Sequence, residues 1–108
     1  MVKEIEAQLT DILAKYVGKN EVVYRDTRLL HDLRLAGDDM WEYFDEVSLL
    51  YGIREPLFDF NDYFPAEAIL GIRYYFFFDR FSKQYSPLTI KDLAQIIHEH
   101  GYGQRRLL

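Results

Sequence analysis

Residues 37–52 read Gly37-Asp38-Asp39-Met40-Trp41-Glu42-Tyr43-Phe44-Asp45-Glu46-Val47-Ser48-Leu49-Leu50-Tyr51-Gly52. Met40, Phe44, Val47 and Tyr51 recur at steps of three and four, the period of one helix face, and Trp41, Tyr43 and Leu50 widen that stripe. The opening Gly37-Asp38-Asp39 marks a helix start. Either carboxylate can accept hydrogen bonds from the free first-turn amides and complement the helix dipole. Glu42, three residues after Asp39, fits the reciprocal half of a capping box. Gly52 supplies the stop, because glycine adopts the left-handed conformation at little cost. On another face Glu42, Asp45 and Glu46, at i, i+3 and i+4, form a compact acidic strip.

Working toward the N-terminus, residues 18–36 read as a long connection with one short ordered piece. Thr27 is placed to cap a helical turn over Arg28–Leu33, with Leu29, Leu30 and Leu33 on the core side. Before it, Val2, Ile5, Leu9, Ile12, Leu13 and Tyr16 trace one helix face, predicting a helix over about residues 2–17 closed by Gly18.

Toward the C-terminus, the stretch 53–86 has no clean period. Pro56 and Pro65 interrupt it, and Phe58, Phe60, Tyr63 and Phe64 cluster between them. Ala66 to Phe81 reads as helix or irregular structure, with Pro65 at a favoured first helical position, although Tyr74-Tyr75-Phe76-Phe77-Phe78 alone has strand propensity. A final helix starts at Thr89 as N-cap with Asp92 in the capping-box position, turns Leu93, Ile96 and Ile97 to the core, and stops at Gly101 and Gly103. The tail Gln104–Leu108 reads as frayed.

The 108 residues suit one domain over 1–108, and a hydrophobic content of 49% with 18 aromatics excludes intrinsic disorder. The net charge of −5 is the opposite of what phosphate contacts need, so no nucleic-acid partner is expected, and an acidic surface suits a basic protein. Without cysteine there is no disulfide and no thiolate chemistry. The longest apolar run, Tyr74–Phe78, is five residues against the ~20 of a membrane span, and MVKEIEAQLTDIL lacks the apolar run of a signal peptide. A cytoplasmic protein with no membrane partner is the expectation.

Residue types with catalytic or metal-binding potential are present but poorly spaced. Asp38 and Asp39 are adjacent on a helix start, where they point in different directions and suit capping better than a proton-sharing dyad. His98 and His100 stand two apart, about 200° around a helix, rather than at the i, i+4 spacing of a metal pair. At a helix C-terminus they complement the dipole instead. His31 is isolated and reads as a partly exposed loop residue. Ser48, Ser82 and Ser86 lack a nucleophile elbow, the six glycines form no phosphate loop, and Arg105-Arg106 is too short for a nucleic-acid patch. Neither an enzyme nor a metal protein is expected.

From Asp26 to Leu50 the chain resembles acyl carrier proteins. Asp26-Thr27-Arg28-Leu29-Leu30-His31-Asp32-Leu33 is similar to the loop leading to their Asp-Leu-Gly. Gly37-Asp38-Asp39-Met40 sits where they have Asp-Ser-Leu, and Pro87-Leu88-Thr89-Ile90-Lys91-Asp92-Leu93 looks like the start of their last helix. Asp-Leu, Gly-Asp-Asp, Tyr63-Phe64-Pro65-x-Glu67 and Pro-Leu-Thr, in that order, also resemble an uncharacterised bacterial carrier-like family and span nearly the whole chain. The resemblance implies an all-α, acyl-carrier-like helical bundle, here with an aromatic insertion before the last helix.

In carriers the serine of Asp-Ser-Leu holds phosphopantetheine through a phosphodiester. Asp39 occupies that position, with Asp38 before it and Met40 after it, and a carboxylate cannot form the linkage. The connection from Leu33 to Asp38 is also two residues longer than the usual pattern. The expectation is therefore a non-catalytic carrier-like domain without phosphopantetheine. It would dock a protein partner bearing a basic patch through Glu42, Asp45 and Glu46, the surface that partners read in carrier families. The alternatives are a working acyl or peptidyl carrier with atypical attachment, and a small acidic inhibitor or immunity-type protein.

Overall fold

A computed structural model of the chain describes residues 2–18, 20–64 and 85–102. Among these the elements are three α-helices, α1 (Val2–Leu13), α2 (Gly37–Tyr51) and α3 (Ile90–Glu99), with a 3₁₀ turn at Phe60–Asp62. No strand forms among the described residues. A single antiparallel bridge joins Arg28 to Thr89, where the Leu29 amide donates to the Leu88 carbonyl at 2.8 Å. The predicted helical or irregular structure over Ala66–Phe81, and with it Tyr74–Phe78, lies outside the described residues.

The three apolar stripes read from periodicity meet in one core. Ile5, Leu9 and Leu13 of α1, Met40, Phe44, Val47 and Tyr51 of α2, and Leu93 and Ile97 of α3 are buried, with Leu29, Leu30 and Leu35 of the connection between them. α1 packs on both partners, chiefly on α3. Tyr43, read as the edge of the α2 stripe, is fully buried, whereas Trp41 is 44% exposed.

Tyrosines stitch α1 to α2. The Tyr43 hydroxyl donates to the Leu9 carbonyl at 3.1 Å, and the Tyr51 hydroxyl donates to the Gln8 side-chain oxygen. Each gives a phenol at the helix interface an acceptor, which removes the cost of a buried unpaired hydroxyl.

Caps follow the sequence where their partners are local. Thr89 and Asp92 form the reciprocal box in full, with the Asp92 amide donating to the Thr89 hydroxyl at 3.0 Å. Gly52 is left-handed at φ 70, and its amide and that of Ile53 both donate to the Ser48 carbonyl. Gly101 is left-handed as well, at φ 80, whereas Gly103 lies outside the described residues.

Three expectations need correction. Helix α1 ends at Leu13 rather than about residue 17, and Gly18 is not left-handed. Beyond Leu13 the chain tightens into i→i+3 bonds, Lys15 amide to Ile12 carbonyl and Tyr16 amide to Leu13 carbonyl. This carries Lys15 and Tyr16 toward α2. The segment 28–33 is a set of turns rather than a helix capped by Thr27. Its cap is Asp32, whose carboxylate accepts from the Arg28 amide at 2.8 Å and pairs with the Arg28 guanidinium at 2.8 Å. The Thr27 hydroxyl instead accepts from the Tyr24 amide. The N-cap of α2 is Ala36, with no side-chain cap, so neither Asp38 nor Asp39 caps and no box with Glu42 forms. The chain enters α2 through a left-handed Gly37 at φ 64, which places both aspartates inside the first turn.

Candidate functional site

The sequence points to α2, and its residues divide into two surfaces. On the side facing the end of α1, Glu46 accepts from the Lys15 ammonium at 2.8 Å through one carboxylate oxygen and from the Tyr16 hydroxyl at 2.5 Å through the other. Lys15 first, then Tyr16, holds the Glu46 carboxyl below the usual range, and the same hydrogen bond, followed by burial, pushes the Tyr16 phenol up to about 12. Glu46 therefore belongs to the α1–α2 junction. Only Glu42 and Asp45 of the acidic strip are exposed.

The outward face carries Asp38, Glu42, Asp45 and Leu49 in succession at steps of three and four, all exposed. Leu49 is 74% exposed, an isolated apolar side chain among carboxylates. Asp39, which the resemblance alone would set at the carrier serine's position, is also exposed in the first turn, while its neighbour Met40 is buried.

Alongside this face runs a cleft whose existence the sequence did not suggest. After Gly52 the chain folds back so that Ile53, Pro56 and Leu57 face Trp41 and Ser48 across a hollow of about 220 Å³ floored by Phe44 and Val47. Phe60 closes one end, its ring 5.2 Å from that of Trp41 and 5.0 Å from that of Phe44. Phe58, Tyr63 and Phe64 continue the edge-to-face cluster behind it, so the aromatics between the two prolines form the cleft's supporting wall. Asp45 and Glu55 stand at its lips with Arg54. A second depression of about 460 Å³ adjoins it, sharing Ser48, Ile53 and Arg54 and extending over Leu49 to Tyr102.

Charge is concentrated here. The 28 residues from Gly37 to Phe64 hold eight acidic side chains and one basic, Arg54, whereas the remainder of the chain has twelve basic and ten acidic. The formal net charge of −5 thus arises wholly in the segment that builds α2 and the cleft.

The remaining candidates stand apart from this surface or lack partners for chemistry. His98 is half-buried with Nδ1 lacking a hydrogen-bond partner, and His100 is exposed, its Nδ1 2.8 Å from the Ile96 carbonyl and its ring stacked on Tyr102. His31 is half-buried in the 28–33 turns. Among the described residues no group of three His, Cys, Asp or Glu side chains is placed to hold a metal ion, and no helix is long and apolar enough to cross a membrane. Ser48 lines both depressions, and Ser86 is an exposed loop residue whose amide donates to the Asp62 carbonyl. Ser82, Arg105 and Arg106 lie outside the described residues.

Neither a protein-family model, a curated protein nor a solved structure matches the chain.

Proposed function

We propose that the protein is a non-catalytic, carrier-like helical module that works by docking a basic protein partner on the outer face of α2. The observation that supports this reading is the line Asp38–Glu42–Asp45, exposed on one helix face within the segment that holds the chain's whole net negative charge. Carboxylates on a helix face steer a basic patch during encounter and fix its register. Asp39 stands at the carrier attachment position, so the module has no phosphopantetheine arm and its work is recognition rather than transport. Glu46 supports the surface indirectly, by tying α1 to α2 through Lys15 and Tyr16.

The test is charge reversal of the exposed pair, Glu42→Lys with Asp45→Lys. The variant should keep the wild-type melting temperature and lose most of its capture of a lysine-rich partner at low salt. Unchanged capture removes the basis for a docking role of α2.

A further inference from the structure

We propose that the occupant of the α2 surface is a basic amphipathic helix that seats an apolar side chain in the Trp41–Leu57 cleft and a second one beside Leu49. This rests on the docking reading above and specifies what docks. The cleft, at about 220 Å³, has room for a single large side chain, and the adjoining depression of about 460 Å³ lengthens it into an open trough. Apolar walls stand over a floor of Phe44 and Val47, while Asp45, Ser48, Arg54 and Glu55 make the rest of the cleft's lining polar. An apolar anchor therefore gains from burial there, and its flanks find polar partners. Trp41 is 44% exposed and Leu49 is 74% exposed, two large apolar surfaces left to water one beside each depression. Exposed side chains of this size also occur singly at Val22 and Tyr24, and what sets Trp41 and Leu49 apart is that each lines a depression that an apolar side chain could fill.

The two depressions meet along Ser48, Ile53 and Arg54 and so form one interrupted trough beside α2. An amphipathic helix presents apolar anchors every three or four residues along one side, and a trough of this kind is how such helices are held. The carboxylates decide the flanks. Asp45 and Glu55 stand at the lips of the cleft and Glu42 continues the first lip by one helical turn, against Arg54 as the single base of the segment. Arg54 lines both depressions and is the charged side chain of the second, so the carboxylates act at the cleft. There an acidic ligand would be repelled, whereas Lys and Arg flanking the cleft anchor would find partners. Anchor and charge have separate jobs: burial of the anchor sets the lifetime of the complex, and the carboxylates set its rate of formation.

Trp41 is the only tryptophan in the chain, so its fluorescence reports directly on the cleft. The probe is a synthetic helical peptide with leucines on one side and Lys and Arg elsewhere, labelled for anisotropy. Its control carries alanine at the leucine positions with identical charge. In the free protein, acrylamide should quench Trp41 readily. Adding the leucine peptide should shift its emission to the blue and protect it from quencher, and the alanine peptide should bind at least roughly tenfold more weakly. Leu49→Ser, at an exposed site that leaves folding intact, should weaken the leucine peptide severalfold by anisotropy, and Trp41→Ala by roughly tenfold. Equal binding of the two peptides, or binding without any change at Trp41, overturns the anchored-helix inference. Glu42→Lys with Asp45→Lys separates the two levels. If that variant weakens both peptides equally and the peptides bind alike, α2 still docks basic partners but the cleft holds no anchor. If it binds the leucine peptide as wild type does, the docking reading itself is overturned.

Discussion

Leu9→Ala tests the assignment of the core most sharply. Leu9 is fully buried on the face that α1 turns to both other helices, between Ile5 and Leu13. Its own carbonyl accepts the Tyr43 hydroxyl at 3.1 Å, so the backbone there is held by α2 and cannot easily close a void. Truncation removes three carbons, about 2.4 kcal/mol of transfer free energy at about 0.8 kcal/mol per group. The unfilled cavity raises this, and we expect about 3–4 kcal/mol in all. That is a large share of the roughly 5–15 kcal/mol that holds a domain folded, and corresponds to a fall in melting temperature of roughly 15 °C. Urea unfolding followed by far-UV circular dichroism and by Trp41 emission should show a lower midpoint with an unchanged slope. Ile12→Ala, at a half-buried neighbour, should cost only about 1–2 kcal/mol. A loss below about 0.5 kcal/mol for Leu9→Ala, the level of a surface site, would refute the placement of α1.

Three further outcomes follow from other parts of the structure. Glu46 has a lowered folded pKa, so its contribution to stability is present above the unfolded value of about 4.3 and disappears as pH falls through the folded value. Tyr16, pushed up to about 12, contributes fully below about pH 10 and loses its contribution as pH rises toward about 12. Glu46→Gln should accordingly be less stable than wild type at neutral pH with the gap closing under acid, and a gap that stays constant from neutral pH into acid contradicts the Lys15–Glu46–Tyr16 link. Gly37→Ala forces a side chain into the left-handed region at φ 64 and should cost roughly 1–2 kcal/mol, whereas Gly18→Ala, with only an ordinary 3.8 Å contact to Glu21, should change stability by less than about 0.5 kcal/mol; equal effects in chemical denaturation would show the α2 entry to be misread. Incubation with a phosphopantetheinyl transferase and coenzyme A should leave the intact mass unchanged, and a gain matching the phosphopantetheine group would establish a working carrier.

What the sequence made legible was what local chemistry decides. Periodicity placed the buried faces of all three helices, and the Thr89–Asp92 box and the Gly52 stop formed as read because each uses partners within a few residues. The errors lie where a distant group wins. Lys15 and Tyr16 leave the helical path for Glu46, thirty residues on, so α1 stops a turn early. The α2 start is set by how the 28–35 turns deliver the chain through Gly37, which makes the two aspartates first-turn residues instead of caps. The acidic strip was visible, but not the loss of Glu46 to the α1 junction. The cleft was illegible for the same reason: Phe58, Phe60 and Tyr63 have no helical or strand period, and only their packing against Phe44 and Trp41 gives them a place. The adjoining depression did leave a signal in Leu49, an apolar residue four positions after Asp45 on the charged face, a spacing that puts it in water unless something covers it.

If the carboxylates of α2 draw in a basic partner, the rate of association measures this most directly. Stopped-flow mixing of the protein with the leucine–lysine peptide, read through Trp41, would give that rate for wild type and for Glu42→Lys with Asp45→Lys at about 0.05 M and about 0.5 M salt. Wild type should associate roughly tenfold faster than the variant at low salt, and the two should converge at high salt as the field is screened. Equal rates at low salt, or a rate for wild type that does not respond to salt, would contradict docking through α2.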